Sequence, residues 1–145
     1  MSHEAVDILL VEDNPDDVEL ALLALRRNNL ANQIHVARDG AEALDFLFCR
    51  GQFTDRSFDL PPRVVFLDLK LPKVDGMEVL RIVKSDPRTK SVPVVVMTSS
   101  REQRDMVEGY QLGVNSYIQK PIDFSQFREI VKSLGFYWLV INQAP

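Results

Sequence analysis

Polar side chains that could do chemistry stand where several short apolar segments of the sequence end. Glu12 and Asp13 follow the first segment, and Asp68 follows a run of four apolar residues. Further along, Thr98 and Lys120 each close another short segment. A carboxylate at the end of a buried segment costs free energy unless a partner satisfies its charge. Taken alone, Asp68 could equally be a turn or helix-capping acid, and only its combination with the other polar residues indicates a functional site.

Together these groups could hold a divalent cation and a phosphoryl group. Three neighbouring carboxylates, those of Glu12, Asp13 and Asp68, stay ionised together only around a cation. Oxygen ligands that are few and leave room for water favour Mg²⁺ over Ca²⁺. The Lys120 ammonium and the Thr98 hydroxyl could then bind phosphoryl oxygens. Asp68 could act as a nucleophile that becomes an aspartyl phosphate.

The elements that must position these side chains alternate between strands and helices. The hydrophobic pattern predicts strands at residues 6–11, 33–37, 63–68, 92–97 and 116–119. It predicts helices from Pro15 to the Asn28–Asn29 pair, at residues 41–48, 76–85 and 101–112, and from Phe124 onward. Such alternation favours a parallel sheet with helices on both faces, where sites form at the carboxyl ends of the strands.

The composition indicates one ordinary globular domain, residues 1–145, with 46% hydrophobic and 26% charged residues. The net charge is −4 without clustered Lys and Arg, which argues against binding to nucleic acid. One cysteine, Cys49, excludes an internal disulfide and is typical of a reducing compartment. No apolar run approaches the ~20 residues of a membrane span, and the first residues lack a signal peptide's basic region. We therefore expect a cytoplasmic protein without a membrane segment.

Four segments, in order, resemble the receiver domain of bacterial two-component response regulators. They are ILLVEDNPDD, VVFLDLKLPKVDG, VVVMTSS and YIQKP, and the resemblance covers roughly residues 5–136, leaving a helical extension at 137–145. It implies a flavodoxin-like, doubly wound (βα)5 fold with a five-stranded parallel sheet in the order 2-1-3-4-5. It also implies a phosphoacceptor signalling protein, not an enzyme, that assists its own phosphotransfer and autodephosphorylation.

The resemblance assigns chemical roles to individual residues. Asp68 would accept a phosphoryl group from a phosphohistidine on a sensor histidine kinase, assisted by Thr98 and Lys120. The implied Mg²⁺ ligands are the side chains of Glu12, Asp13 and Asp68 and the backbone carbonyl of Lys70.

The resemblance also implies a conformational switch. Thr98 would move toward the phosphorylated Asp68, and Tyr117 would turn inward into the space left behind. Taken alone, Tyr117 could equally be a half-buried aromatic with its hydroxyl in water. The Lys120–Pro121 peptide bond is expected to be cis, which costs about 0.5–1 kcal/mol against trans before proline.

Two further features resemble stand-alone receivers that pair with bacterial phytochromes, the light-sensing histidine kinases. Residues 49–62 form a longer loop than in the most familiar receivers, predicted to be mostly irregular with up to one turn of helix. The second feature is the ending SLGFYWLVINQAP. A bacterial phytochrome is therefore the expected phosphodonor.

Six consecutive apolar residues, 136–141, lie near the end of the sequence. One helix face cannot bury all six against its own sheet, so we expect an interface. The prediction is a homodimer through the last helix, with Phe136, Tyr137, Trp138 and Val140 at the contact. The alternative is a frayed, partly packed end.

Three other functions fit the sequence less well than that of a receiver. A hydrolase with an aspartyl phosphate intermediate needs an acid two residues after the nucleophile, where this chain has Lys70. A degenerate receiver is disfavoured because all five site positions hold competent residues. A flavin or nucleotide carrier lacks support because no glycine-rich loop follows the first strand. His3 and His35 lack partner motifs for catalysis or metal binding, so the chain is expected to accept a phosphoryl group and not to donate one.

Overall fold

The computed structural model describes residue 6 and residues 8–27, 33–130 and 132–133. The strands are β1 (Ile8–Val11), β2 (Ile34–Ala37), β3 (Val64–Asp68), β4 (Val94–Thr98) and β5 (Ser116–Gln119). The helices are α1 (Pro15–Arg27), α2 (Gly40–Leu47), α3 (Gly76–Ser85), α4 (Arg101–Gly109) and α5, over residues 124–130. Across the described ranges, no helix is long and apolar enough to cross a membrane.

All five strands are parallel and follow the order β2-β1-β3-β4-β5, which confirms the predicted flavodoxin-like fold. The register brings the carboxyl ends of the three central strands together. Val11 lies beside Leu67, and Asp68 lies beside Met97. At the far side of β4, Thr98 lies beside Gln119. Residues that follow β1, β3, β4 and β5 are therefore delivered to one edge of the sheet.

The sheet separates two hydrophobic clusters, because successive strand residues point to opposite faces. Val65 and Leu67 of β3 pack in the cluster under α2 and α3, whereas Val64 and Phe66 pack in the cluster under α1 and α5. The ring of Phe66 stacks on that of Phe127 in α5, with 5.4 Å between the centroids. Both faces of the sheet are thus covered, as the near-continuous apolar strands predicted.

Most predicted boundaries lie within one or two residues of the observed ones, and those of α4 and β4 illustrate the differences. Helix α4 ends at Gly109, three residues before the predicted Leu112, because the chain turns out of helical geometry at Gln111 (φ 50°) and Gly113 (φ 74°). Strand β4 begins at Val94 and extends to Thr98, whereas the prediction was 92–97. The segment 49–62 contains a 3₁₀ turn, Gly51–Phe53, consistent with the predicted loop with up to one helical turn.

Candidate functional site

Glu12 is held at the end of β1 by the start of the first helix. Its backbone N–H donates to the Ala37 carbonyl at 3.0 Å, so it still follows the sheet ladder. The Asn14 N–H donates to Glu12 Oε2 at 3.2 Å. Asn14 Oδ1 in turn accepts from the N–H groups of Asp16 and Asp17, which caps α1. These bonds fix the Glu12 carboxylate, which is fully buried.

Asp68 is the last residue of β3 and only 5% exposed. The Lys70 N–H donates to its Oδ1 at 3.2 Å. Gly76 closes the loop that follows Asp68, because its N–H donates to the Leu69 carbonyl at 3.0 Å. A Cβ at Gly76 would lie 2.2 Å from the Asp68 carbonyl oxygen, so only glycine fits at this first position of α3. The close approach of α3 thus helps to fix the Asp68 backbone.

Lys120 follows β5 and reaches across the edge of the sheet to three carboxylates. Its Nζ lies 2.7 Å from Glu12 Oε1, 3.0 Å from Asp68 Oδ2 and 3.0 Å from Asp17 Oδ2. The lysine side chain is only 14% exposed. The Lys120–Pro121 peptide bond is cis. We call Glu12, Asp17, Asp68 and Lys120 the acid corner.

The electrostatics of the acid corner follow from burial and from the shared ammonium. Burial raises the pKa of Glu12 to about 7, and the neighbouring Asp68 adds to this rise, whereas Lys120 opposes it. Burial lowers the pKa of Lys120, but its hydrogen bonds with Glu12 and Asp68 outweigh this, so that pKa lies above its ordinary value. The Lys120 ammonium therefore stays protonated beside Glu12, Asp17 and Asp68. One positive charge among three acids leaves the acid corner attractive to a further cation.

The carboxylates can supply a set of ligands for a hard cation. One oxygen from each of Glu12, Asp13 and Asp68 lies within 4.8 Å of the others. Asp13 is exposed, which leaves room for water, and the buried Glu12 Oε1 has the Lys120 ammonium 2.7 Å away as its partner. A few oxygen donors with access to water suit Mg²⁺. The ligand role expected of the Lys70 carbonyl stays a prediction.

Thr98 lies at the same edge but is bonded toward α4. Its buried hydroxyl donates toward the Ser100 carbonyl at 2.9 Å and Gln103 Oε1 at 2.8 Å. The Ser100 N–H donates to the same hydroxyl oxygen at 3.1 Å. All these partners lie at or near the start of α4.

Tyr117 lies in β5 beside the same helix. The Arg104 guanidinium carbon is 4.6 Å from the centre of its ring, and Glu108 Oε1 holds that guanidinium at 3.1 Å. Burial raises the pKa of the Tyr117 hydroxyl. A polar cavity of about 430 Å³ opens here, and Thr98 and Tyr117 are among the residues that line it. We call Thr98, Gln103, Arg104 and Tyr117 the switch face.

Asp17 and Gln103 were not anticipated from the sequence. Asp17 lies one helical turn after Asp13 in EDNPDD, a spacing that could have suggested a fourth acid on the same side. The position of Asp17 is equally well explained by the preference for acidic residues at a helix N-terminus. Gln103 has no sequence signal beyond its place in the first turn of α4. The four predicted dimer residues, Phe136, Tyr137, Trp138 and Val140, lie outside the described residues.

Three solved structures with the same fold are of bacteriophytochrome or phytochrome response regulators. The bacteriophytochrome response regulator AtBRR is 53% identical, with a TM-score of 0.80 over 91% of this chain and 94% of that one. The bacteriophytochrome response regulator RtBRR is 49% identical, with a TM-score of 0.85 over 98% of this chain and 85% of that one. The phosphorylated cyanobacterial phytochrome response regulator RcpA is 40% identical, with a TM-score of 0.75 over 94% and 95% of the two chains.

Curated relatives are similar along most of their length. The probable methanogenesis regulatory protein FilR2 of Methanothrix harundinacea is 42% identical over 95% of this chain and 86% of its own. Response regulator Rcp1 of Synechocystis is 36% identical over 95% of this chain and 92% of its own. Rcp1 has also been solved in a Mn²⁺-bound form, with a TM-score of 0.75, 35% identity and coverage of 94% and 95% of the two chains. Residues 8–132 match the response regulator receiver domain, and the chain belongs to that family.

Proposed function

We propose that Asp68 accepts a phosphoryl group from a sensor histidine kinase in a reaction that needs Mg²⁺. The observation that carries this proposal is the acid corner, in which the buried carboxylates of Glu12 and Asp68 meet Asp17 and Lys120 at one sheet edge. Such a site can hold a dianionic phosphoryl group only if positive charge offsets its oxygens. Lys120 supplies one charge from the chain itself.

In the proposed step, a carboxylate oxygen of Asp68 attacks phosphorus as the bond from phosphorus to the donor's histidine nitrogen breaks. The electron pair of that bond returns to the imidazole, which leaves neutral when its other ring nitrogen carries a proton. Lys120 moves from Asp68 Oδ2, now 3.0 Å away, to a phosphoryl oxygen. The Lys70 N–H, bonded to Asp68 Oδ1, keeps the carboxylate oriented.

Glu12, Asp13 and Asp68 are the side chains proposed to hold Mg²⁺, with the Lys70 carbonyl. The ion would neutralise charge on the phosphoryl oxygens during transfer. Water that reaches the exposed Asp13 side of the site would later hydrolyse the acyl phosphate, which accounts for autodephosphorylation. The chain thus assists two reactions of its own side chain and is not proposed to act on an external substrate.

Phosphorylation is proposed to shift the chain between two conformations of the switch face. A phosphoryl group on Asp68 would accept a hydrogen bond from Thr98, which would leave its partners on α4. Tyr117 would then exchange its contact with Arg104 for a more buried position. The phosphoryl group can drive this change only because it bonds to one conformation better than to the other.

The proposed donor is a bacterial phytochrome kinase, because similar solved structures are of bacteriophytochrome and phytochrome response regulators. A location in the cytoplasm and a homodimer through Phe136, Tyr137, Trp138 and Val140 complete the proposal. Residues 1–145 are proposed to form one receiver domain, with no nucleic acid or membrane as a partner.

Intact-mass measurement with acetyl phosphate tests the proposed reaction. The wild-type protein should gain one phosphoryl group with Mg²⁺ and none with EDTA. Asp68→Asn should gain none, and Asp59→Asn, an exposed acid elsewhere, should behave like the wild type. Full labelling of Asp68→Asn would overturn the proposal.

The donor is tested separately with two phosphorylated kinases, one a bacterial phytochrome and one an unrelated sensor. The proposal predicts faster transfer from the phytochrome. Equal or slower transfer would overturn the donor assignment while leaving the reaction at Asp68 in place.

A further inference from the structure

The Thr98 hydroxyl is fully engaged by the start of α4. It carries one proton and has two acceptors within reach, the Ser100 carbonyl at 2.9 Å and Gln103 Oε1 at 2.8 Å. Its oxygen accepts from the Ser100 N–H at 3.1 Å. A hydroxyl that donates its one proton to a phosphoryl oxygen can no longer donate it to either of these acceptors. The two Ser100 contacts are backbone contacts of the neighbouring loop, whereas the Gln103 contact comes from a side chain.

We propose that Gln103 is a positioning residue that holds the Thr98 hydroxyl toward α4 in the unphosphorylated protein. This inference rests on the proposed function of Asp68 as phosphoacceptor. The Gln103 amide competes with the phosphoryl group for the hydroxyl and so sets how readily the switch face changes conformation. Gln103 itself is not proposed to touch the phosphoryl group.

The local structure allows the side chain of Gln103 to act separately from the fold of its helix. Ser100 Oγ caps α4 by accepting from the backbone N–H of Gln103 at 3.1 Å, a bond that any residue other than proline at 103 would keep. Val107 is the buried residue of α4. Replacing the Gln103 side chain therefore removes the contact with Thr98 without removing the helix cap or a core residue.

Phosphoryl mimics should bind more tightly when Gln103 no longer holds Thr98. Some ligands bind only when the Thr98 hydroxyl has left its partners on α4. Their apparent affinity is the intrinsic affinity multiplied by the fraction of molecules in that released conformation. Loss of one neutral hydrogen bond to the held state should raise that affinity by about two- to tenfold. The same loss should leave binding of Mg²⁺ alone unchanged, because Gln103 contacts none of the proposed metal ligands within the described chain.

Beryllofluoride, which mimics a phosphoryl group on a carboxylate, provides the test. Binding is followed by the ¹⁹F NMR signal of the bound form at constant Mg²⁺. Gln103→Leu should bind about two- to tenfold more tightly than the wild type. Gln126→Leu, the same chemical change in α5 on the same cavity, should match the wild type. Equal affinities of Gln103→Leu and wild type would overturn the proposal.

A second pair of variants separates action through Thr98 from a general effect on the helix. In a Thr98→Val background, Gln103→Leu should make no difference, because the hydroxyl is already gone. An equal gain in both backgrounds would contradict a positioning role. If the wild type binds no beryllofluoride at all, the phosphoacceptor proposal itself fails. If it binds and only the Gln103 effect is missing, the inference alone fails.

Discussion

The acid corner and the switch face occupy the same edge of the sheet but are built in opposite ways. In the acid corner, charged groups lie in the interior, and Glu12, Asp68 and Lys120 are buried or nearly so. On the switch face, contacts are neutral or exposed, as in the hydrogen bond of Thr98 and the exposed guanidinium of Arg104. Helix α4, which carries the switch face, buries Val107, whereas α3 buries three apolar side chains, those of Val79, Leu80 and Val83.

Under the proposed function, the acid corner carries out the chemistry and the switch face carries the signal. Buried charges cost several kcal/mol unless they are paired, so the acid corner is held in one arrangement until a cation or phosphoryl group changes its charge. A neutral hydrogen bond or an exposed cation–π contact contributes only about 1 kcal/mol. Exchanging one such contact for another therefore costs little, so residues of the switch face can change partners readily. A charge change at the first region can therefore alter the conformation of the second.

The largest effect should follow removal of the shared ammonium. Lys120→Ala leaves Glu12 and Asp68 without their cation, and we expect the free energy of unfolding in EDTA to fall by about 2–4 kcal/mol. Mg²⁺ should restore part of the loss, because it supplies positive charge to the same carboxylates. Urea denaturation measures both quantities. Lys90→Ala, an exposed control, should change stability by less than about 0.5 kcal/mol. A loss no greater than that of the control would contradict the account.

A smaller effect should appear as a pH dependence of the acid corner. Burial raises the pKa of Glu12 from 4.5 to about 7, so between these values the folded protein binds more protons than the unfolded chain. The contribution of Glu12 to stability therefore falls as pH rises. Glu12→Gln cannot ionise, so in EDTA the variant should gain about 1–3 kcal/mol relative to the wild type between about pH 5 and about pH 8. Parallel pH profiles of the two proteins would contradict this.

A third effect concerns competition for Lys120. Asp17 Oδ2 holds the ammonium at 3.0 Å, in competition with any phosphoryl oxygen. Asp17→Asn weakens that hold and should speed phosphorylation by acetyl phosphate about two- to fivefold, as expected for a partly exposed ion pair. Asp16, the exposed acid next to Asp17, serves as the control, and Asp16→Asn should leave the phosphorylation rate unchanged. A slower Asp17→Asn would show that the ion pair assists the reaction instead.

The smallest effect should lie on the switch face. The Arg104 guanidinium over the Tyr117 ring should contribute about 0.5–1 kcal/mol at this exposed site. A double-mutant cycle of Arg104→Ala and Tyr117→Leu, measured by urea denaturation, isolates that coupling and cancels the lost ion pair with Glu108. A coupling near zero would mean that Arg104 does not restrain Tyr117.

The sequence predicted the fold and the acids better than it predicted the contacts of the switch face. Asp68 and Thr98 each end an apolar strand, and a parallel sheet brings the carboxyl ends of its strands to one edge. The strand pattern alone therefore predicts where these two side chains lie. The contact between Asp17 and Lys120 depends on how α1 is oriented, which its hydrophobic pattern does not specify. The Gln103 contact depends on one rotamer in the polar helix α4. The early end of α4 was missed because Gln111 adopts a positive φ, which its residue type does not predict.

Chemical trapping tests the central claim, that Asp68 is the phosphoacceptor, most directly. The protein is incubated with acetyl phosphate and Mg²⁺, reduced with borohydride, which converts an aspartyl phosphate to homoserine, and mapped by peptide mass spectrometry. The account predicts homoserine at position 68, absent when EDTA replaces Mg²⁺. Homoserine at another acid, or a phosphoryl group on a different residue type, would contradict it.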